Sequence, residues 1–387
     1  MEEGKTYKLG DIASVQTGPF GSQLHNEDYV DVGTPIVTVE HLGTKSFSTQ
    51  NLPKVSQQDC IRLSKYSLKE GDIVFSRVGS VDRCSYVSEA ENGWLFSGRC
   101  LRVRAGELVY PEYLYYYFQK ESVKQEIRNV AVGATMPSIN TKLLSDLLVE
   151  LPPYDHQIKV AMILASIDEK IQINNRINHN LEEQAQALYK SWFVDFEPFK
   201  DGKFADSELG MVPDGWRVGT LSELLEVRYG KDHKALKDGT TPVFGSGGLM
   251  RYVGRTLYDG ESVLIPRKGT LNNVMYVNGA FWTVDTMFYT VERASCAIKY
   301  CHLFLLTQDL ASMNAGSAVP SMTTDILNNL QLLIPPYQVL DAFNRVVSSI
   351  YEARIQREEE SISLSQSRDT ILPQLMSGTL TSALLTC

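Results

Sequence analysis

The sequence lacks the patterns that mark membrane proteins, secreted proteins and metal centres. No apolar run reaches the roughly 18–20 residues that a membrane-spanning helix requires. The first residues show no basic and then apolar signal-peptide pattern. The six cysteines include no Cys-x-x-Cys pair, so neither a disulfide framework nor a zinc ribbon is expected. We therefore expect a cytoplasmic protein with no membrane segment and no metal site.

An excess of positive charge is also absent. The 387 residues carry a formal net charge of −9, which argues against a protein that coats nucleic acid by charge alone. A chain of this charge can still read bases through local loops if another subunit supplies much of the attraction. The hydrophobic fraction of 43% and the charged fraction of 21% are typical of a globular protein, and the length suffices for two cores.

What the sequence does contain is an internal repeat. The segment 133–141 (Gly-Ala-Thr-Met-Pro-Ser-Ile-Asn-Thr) returns as 316–324 (Gly-Ser-Ala-Val-Pro-Ser-Met-Thr-Thr). An earlier pair of similar segments, which begin at Gly71 and Gly260, is separated by a slightly larger offset, so insertions or deletions separate the copies. Two similar but unequal halves can carry a pseudo-two-fold axis, as a DNA duplex does.

Each copy has two parts. The first part contains short β-branched runs between Gly and Asn turns, which predicts strands with a few helices packed on them. The second part has apolar residues at steps of three and four, and in the first copy no Gly or Pro occurs from residue 154 to residue 197. This pattern predicts a helix of about forty residues and roughly 60 Å in each copy. Because one narrow apolar stripe cannot stabilise so long a helix alone, we expect the two helices to pair antiparallel.

Polar residues interrupt the apolar stripe in the middle of both helices. They are Asn174 and Asn178 in the first helix and Arg354, Arg357 and Ser361 in the second. Polar residues in a coiled-coil seam lower stability but fix the register. The other interpretation is that these side chains simply face the solvent.

Together these patterns predict an α+β fold, in which two globular domains are joined by two long antiparallel coiled-coil helices as a pseudo-two-fold repeat. The stretch between the halves is rich in Gly, Pro and Asp, which is typical of a linker. The predicted boundaries are 1–153 for the first domain, 154–196 for the first long helix, 197–215 for the linker, 216–336 for the second domain, 337–377 for the second long helix and 378–387 for a C-terminal tail.

The motifs that resemble catalytic signatures are each incomplete. Two Pro-Pro-Tyr segments suggest the signature of adenine-N6 methyltransferases, but the residues before them are Leu151 and Ile334, which cannot accept a hydrogen bond from an amine. The glycine loop 244–248 has Ser246 where a cofactor-binding loop needs glycine. The chain therefore looks non-catalytic.

Two clusters of ionisable residues favour structural interpretations. The segment 168–170 (Asp-Glu-Lys) offers a carboxylate and a lysine, as nucleases do, but we interpret it as a solvated face of the long helix. Cys296, Cys301 and His302 lie in an apolar segment, and we interpret them as packing residues rather than metal ligands.

Five stretches of sequence carry a resemblance to a known family. They are Pro-Pro-Tyr-x-x-Gln at 152–157, Ile-Asp-Glu-Lys-Ile at 167–171, the aromatic stretch 187–196, Val-Pro-Asp-Gly-Trp at 212–216 and Leu-Pro-Gln-Leu-Met-Ser-Gly at 372–378. On these residues the chain resembles, over essentially its full length, the specificity subunit of type I restriction–modification systems.

The resemblance implies a non-catalytic subunit with two target-recognition domains, each of which reads one half of a bipartite, asymmetric site in double-stranded DNA. It implies that the long helices set the spacing and dock two methyltransferase subunits, which restriction subunits join. No cofactor is expected in this chain, since S-adenosylmethionine, ATP and Mg²⁺ would belong to the partners. The alternatives are a stand-alone sequence-specific DNA-binding protein and a self-sufficient restriction–modification enzyme.

The resemblance also directs attention to the polar, glycine-rich loops found in both copies. Arginine and lysine suit guanine, asparagine and glutamine suit adenine, and glycine lets the backbone approach a phosphate; a plain turn remains the alternative for any single loop. On the same resemblance Arg77→Ala should relax specificity in one half-site only. The residues predicted to contact DNA are Gly18, Phe20, Ser22, Gln23, Arg77, Ser80 and Arg83 in the first domain and Lys231, Ser246, Arg267, Lys268, Asn272 and Asn273 in the second.

For the docking of methyltransferase subunits, the aromatic stretch of the first helix and its counterpart in the second are the candidates, because aromatic residues are enriched among interface anchors. The residues are Tyr189, Trp192 and Phe193 in the first copy and Ile371 and Leu375 in the second. Trp192 is equally compatible with a position that closes the coiled-coil seam.

Overall fold

The computed structural model describes residues 5–19, 23–133, 135–313 and 321–380. The chain divides into two compact units. The first unit consists of Met1–Ile173 and Glu360–Cys387, and the second consists of Asn174–Glu359. Phe20 and Ser22, which the sequence predicts to contact DNA, lie outside the described residues.

The first unit mixes short strands with short helices, as the sequence predicts. Its strands β1–β10 are Lys5–Lys8, Ala13–Thr17, Tyr29–Val30, Thr34–Val37, Lys54–Val55, Ile73–Ser76, Cys84–Tyr86, Leu95–Phe96, Cys100–Ala105 and Leu148–Leu151. Its helices α1–α5 are Leu9–Ile12, Gln57–Arg62, Pro111–Gln119, Glu121–Val130 and Thr141–Ser145, and the long helix α6, Tyr154–Phe193, begins here.

The strands of the first unit form two four-stranded sheets and one separate pair. One sheet has the order β2-β9-β6-β7, the other has the order β3-β5-β4-β8 with β4 and β8 parallel, and β1 pairs antiparallel with β10. Helix α3 packs on the first sheet: Phe118 meets Phe75 with ring centroids 4.8 Å apart. Six consecutive residues of this helix, 113–118, are buried, and Pro111 suits its first turn.

The second unit begins with a hairpin and then repeats the arrangement of the first. Its strands β11–β22 are Phe204–Ser207, Gly210–Pro213, Arg217–Thr220, Leu225–Tyr229, Asp238–Gly245, Gly248–Val253, Tyr258–Asp259, Ser262–Pro266, Met275–Val277, Ala280–Thr283, Met287–Glu292 and Gln331–Ile334. Its helices α7–α10 are Leu221–Leu224, Ile298–Leu306, Thr324–Asn328 and Tyr337–Met376.

The topology confirms the internal repeat. The second unit has sheets of order β14-β21-β18-β19 and β16-β15-β20-β17, again with one parallel pair, and its β13 pairs with β22 as β1 does with β10. Helices α9 and α10 follow α5 and α6 at one common offset along the chain, whereas α7 follows α1 at a larger offset. The second copy is therefore shorter in the region of its sheets, and the offset between the copies is constant from α5 and α9 onward.

The long helices run antiparallel where they meet inside each unit, as predicted. In the first unit Arg368 of α10 donates to Asp168 of α6 at 2.6 Å. In the second unit the Asn178 side chain donates to the Arg354 carbonyl oxygen at 3.3 Å, and Phe193 packs on Phe343. Because Asn174 is fully buried and Asn178 bonds across the pair, these residues belong to the seam rather than to a solvated face.

The segment predicted to be a linker is folded. Strands β11 and β12 form an antiparallel hairpin, in which Phe204 faces Pro213. Trp216 is buried, and its ring centroid lies 5.7 Å from that of Phe193. Helix α6 ends at Phe193 rather than at residue 196, and Phe196 takes the left-handed conformation with φ of 54°. The Gly, Pro and Asp residues that suggested a linker therefore belong to a hairpin and the turns around it, next to the C-terminal end of α6.

Asp168 is the clearest departure from the sequence-based interpretation. The sequence predicts a solvated face, but Asp168 is 6% exposed and accepts hydrogen bonds from the Tyr116 hydroxyl and the Arg368 guanidinium, both at 2.6 Å. The prediction is wrong because both partners lie far away in the sequence. Lys170, two residues on, is exposed and pairs with Glu360 at 3.4 Å.

The cluster of Cys301 and His302 packs in the core, as interpreted from the sequence. Both are buried, and His302 Nδ1 lies 2.5 Å from the Tyr351 hydroxyl oxygen. Burial, assisted by the positive charge of Arg354, lowers the pKa of His302 to about 3, so its imidazole is neutral at ordinary pH. Among the described helices none is both long and apolar enough to span a membrane.

Candidate nucleic-acid interface

In the first unit, two loops that were predicted to contact DNA meet a third loop at one edge of a sheet. Gly18 follows β2, Arg77 follows β6 and Gly98 precedes β9, and these three strands are neighbours in the order β2-β9-β6. The Gly18 amide donates to the Cys100 carbonyl oxygen at 3.3 Å. A Cβ atom on Gly18 would lie 2.2 Å from the Ser97 carbonyl oxygen, so this close approach requires glycine.

Arg77 is held at this edge by backbone and side chain. Its amide donates to the Arg99 carbonyl oxygen at 2.8 Å, and its own carbonyl oxygen accepts from the Ile139 amide at 2.9 Å. Its guanidinium Nη1 donates to the Gly98 carbonyl oxygen at 3.2 Å and lies 3.5 Å from the Thr17 hydroxyl oxygen. These contacts hold the half-buried side chain along the edge.

The second unit builds the same edge. Gly230 follows β14, and a Cβ atom there would lie 2.0 Å from the Val284 carbonyl oxygen. Arg267 follows β18, its amide donates to the Thr286 carbonyl oxygen at 2.9 Å, and its guanidinium donates to the Asp285 carbonyl oxygen at 3.4 Å. The guanidinium carbon of Arg267 lies 5.3 Å from the centre of the Tyr229 ring, within range of a cation–π contact.

The surroundings of the two edges differ. In the first unit the exposed Arg83 borders a cleft of about 460 Å³ that Glu40 and His41 also line, and its guanidinium lies against Gly43. In the second unit the Asn273 side chain donates to the Ser246 carbonyl oxygen at 2.7 Å. That bond fastens the tip of the β15–β16 hairpin beside the arginine loop.

Of the remaining residues of the second unit that were predicted to contact DNA, some are exposed and one is hydrogen-bonded within the chain. Lys231 and Lys268 are exposed. Asn272 uses both ends of its amide: Nδ2 donates to Asp309 at 3.1 Å, and Oδ1 accepts from the Ala311 amide at 2.8 Å. The Asn272 side chain therefore ties its loop to the segment 309–311.

In the first unit, Ser80 is exposed, whereas Gln23 is half-buried. The Gln23 side chain accepts a hydrogen bond from the Tyr66 hydroxyl at 2.7 Å, so part of its bonding capacity is used within the domain. For all these residues, contact with DNA stays a prediction.

The residues predicted for docking lie mainly in the cores. Tyr189, Phe193 and Leu375 are 6%, 4% and 1% exposed, so their rings and side chains are already covered by the chain itself. Trp192 is half-buried, with its ring centroid 5.5 Å from that of Phe343, and Ile371 packs against the first core. Of the two positions considered for Trp192, the structure places it in the packing between α6 and α10. For all five residues, contact with a partner subunit stays a prediction.

Sequence reasoning missed other residues that the structure brings to notice. Thr17 and Tyr229 take equivalent places beside the two arginines, and the signal for them is their position directly before a glycine at the end of a strand. Tyr154 and Tyr337, the first residues of the two long helices, are 44% and 56% exposed. In the sequence they are visible only as parts of a repeated motif. Both are more exposed than Tyr189 and Phe193, the aromatic residues predicted for docking.

Two buried thiols of the first unit have strongly shifted pKa values. Burial raises the pKa of the Cys84 and Cys100 thiols to about 12, which keeps them protonated and unreactive. Across the residues that the structure describes, no group of three or more His, Cys, Asp or Glu side chains is placed to hold a metal ion.

Two sheet edges of the same construction, each with a tethered arginine and distinct neighbouring loops, define a protein built from two related units. Residues 1–183 and 213–353 match the family described as the type I restriction modification DNA specificity domain. The two matched segments make up most of the chain, and the chain belongs to this family.

The chain is also similar to specificity subunits over more than nine-tenths of their length. The chain is 23% identical to the type I restriction enzyme MjaIX specificity subunit of Methanocaldococcus jannaschii, over 96% of this chain and 92% of that protein. It is 22% identical to the HindI specificity subunit of Haemophilus influenzae, over 98% and 100%. The crystal structure of a type I S subunit from M. genitalium has the same fold, with a TM-score of 0.58, 16% identity and 96% of each chain covered.

Proposed function

We propose that this chain is the DNA-specificity subunit of a type I restriction–modification complex and that each unit reads one half of a bipartite, asymmetric site in double-stranded DNA. The observation that carries the proposal is the doubled sheet edge. Gly18 and Arg77 are matched by Gly230 and Arg267 in position and hydrogen bonding, while the loops around them differ. Two sheet edges of the same structure, surrounded by loops of different sequence, suit two half-sites of different sequence.

The long helices contribute spacing and docking in this proposal. Each is a 40-residue α-helix, and each begins in one unit and ends in the other. Two methyltransferase subunits dock on the chain, and restriction subunits join that assembly. The exposed Tyr154 and Tyr337 supply equivalent contact points in the two copies.

The chemistry of modification and cleavage resides in the partner subunits. S-adenosylmethionine serves the methyltransferase subunits, and ATP with Mg²⁺ serves the restriction subunits, so this chain binds none of them. The partners also supply positive charge, since a chain with a net charge of −9 gains little from long-range attraction to DNA.

The proposal is tested by mapping methylated adenines in the genome of a cell that expresses this chain together with its methyltransferase subunit. We expect one bipartite motif with two defined half-sites and a fixed spacer, and no methylation when either protein is expressed alone. Methylation by this chain alone would instead support a self-sufficient enzyme. Tight sequence-specific binding without any association with the methyltransferase would support a stand-alone DNA-binding protein.

A further inference from the structure

The two arginine loops are the same structure built twice. In each loop the arginine amide donates to the carbonyl oxygen of the residue just before the neighbouring strand, Arg99 at 2.8 Å or Thr286 at 2.9 Å. The carbonyl oxygens of the two arginines accept from the Ile139 and Met322 amides, both at 2.9 Å. Two positions after each arginine, a glycine turns the chain, with φ of 74° in the first unit and 88° in the second.

The side chains repeat as well as the backbone. Each guanidinium donates from Nη1 to a carbonyl oxygen at the same place in the neighbouring loop, Gly98 at 3.2 Å and Asp285 at 3.4 Å. Each also lies beside the last residue of the first strand in its sheet, Thr17 or Tyr229. The same cation is therefore presented with the same orientation at both sheet edges.

Other side chains of the two loops differ. Val78 is matched by Lys268, and the exposed Arg83 is matched by Asn273, which is bonded to Ser246. Each unit thus combines one constant cationic group with a variable set of neighbours. A contact that is identical in two units cannot distinguish two different half-sites, whereas the variable neighbours can.

We propose that Arg77 and Arg267 each bind a backbone phosphate of DNA and position the duplex, and that they do not discriminate between bases. This inference rests on the proposed function. The phosphate is the one anionic group that every nucleotide shares, and the planar guanidinium fork matches its oxygens. Contacts of this kind fix the register of a protein on the duplex without carrying sequence information. The role differs from the base contact that the sequence alone suggests for Arg77.

The test uses the full chain reconstituted with its methyltransferase subunits, a DNA library randomised in both half-sites, and affinity measured over a range of salt concentrations. Arg77→Ala and Arg267→Ala are compared with Arg77→Lys and Arg267→Lys. Lys200→Ala is the control, because it also removes one positive charge but lies before the β11–β12 hairpin, where Lys200 pairs with Glu197.

Each alanine variant should weaken binding about tenfold for all sequences alike, because one charge-assisted contact is lost. The slope of log affinity against log salt should fall by about 0.9 for each arginine removed, and the selected sequence should stay unchanged in both half-sites. The lysine variants should retain the wild-type slope, and Lys200→Ala should change neither quantity.

Loss of base preference at any position of a half-site in either alanine variant would overturn the proposal, since it would make that arginine a base reader. An unchanged salt slope would also overturn it, and a lowered unfolding temperature in that variant would identify the arginine as a structural tether. Failure of the proposed function is a separate result: the wild-type complex itself would then select no sequence.

Discussion

At the scale of single residues, the buried carboxylate of Asp168 shows how the globular domain of the first unit is joined to its helices. Tyr116 of helix α3 and Arg368 of helix α10 both donate to it, and these residues lie 52 and 200 positions away in the sequence. Local sequence around Asp168 could not predict this environment, because a helical position with charged neighbours looks solvated. Only the pairing of distant segments turns it into a buried ion pair.

Replacing Asp168 with alanine should lower the free energy of unfolding by about 3 kcal/mol, because the guanidinium of Arg368 and the hydroxyl of Tyr116 would lose a shared buried partner. Urea denaturation of the full chain measures this change. Lys170→Ala is the matched control, since Lys170 forms an exposed pair with Glu360 and should contribute less than about 1 kcal/mol. Equal losses in the two variants would contradict the importance assigned to Asp168.

The aromatic residues predicted for docking also depend on contacts that are distant in the sequence. Tyr189 and Phe193 belong to an aromatic stretch, and such a stretch is compatible with an interface or with a core. The structure shows that they pack on Tyr300, with ring centroids 5.7 Å and 4.6 Å away. Composition alone cannot separate these two environments, because both favour large apolar rings.

At the scale of elements, the long helices and the buried strands were predictable, but several strand pairings were not. Helices α6 and α10 follow from their periodicity and from the prolines before them. The pairing of β1 with β10 joins opposite ends of the first globular domain, and nothing in either segment identifies the other. Hairpin β11–β12 resembles a linker in sequence because its turn residues outweigh its short strands.

Gly230 should be intolerant of a side chain, because a Cβ atom would lie 2.0 Å from the Val284 carbonyl oxygen and would force the sheet edge apart. Gly230→Ala is expected to destabilise the chain by about 1–3 kcal/mol and to reduce recognition of one half-site. Thermal unfolding and methylation mapping measure the two effects.

Gly247→Ala is the control for this experiment. It lies in the nearby hairpin turn, where no atom comes within 4 Å of the position that an added Cβ would take, so it should leave stability unchanged. Wild-type stability and recognition in Gly230→Ala would show that the edge is not constrained as the geometry indicates.

At the scale of the whole molecule, the two-unit plan follows from the repeat, whereas the contents of the recognition surfaces do not. The loops that contain Arg77 and Arg267 stand out in the sequence because they recur, and the structure shows them in matching geometry. Which neighbouring side chains remain available depends on contacts that no repeat reveals, as at Asn272, whose side-chain amide bonds to Asp309 and Ala311.

The proposed spacing role of the helices is tested by lengthening both together. Seven residues of helical sequence inserted after Ile173 and seven after Glu359, at the boundary between the two units, add roughly 10 Å to each helix and nearly two whole turns. The spacer of the methylated motif should then grow by about three base pairs, at about 3.4 Å per base pair, while both half-sites stay the same.

An insertion of equal length in the turn between β11 and β12, at residues 208–209, should leave the spacer as it is. Methylation mapping of both variants in cells reads out the result. An unchanged spacer in the lengthened variant would show that the helices do not set the spacing between the half-sites.

The pairing of β1 with β10, and of β13 with β22, has a consequence for how such a chain can change. In each copy the strand that leads into the recognition region and the strand that leaves it are hydrogen-bonded neighbours, with Lys5 opposite Leu151 and Arg217 opposite Ile334. The chain between them enters and leaves through this strand pair, and it also packs on the long helices, as Tyr116 does on Asp168. A foreign domain with the same strand pair and the same residues against the helices could therefore replace it and give the complex a new target, while the helices kept their sequence.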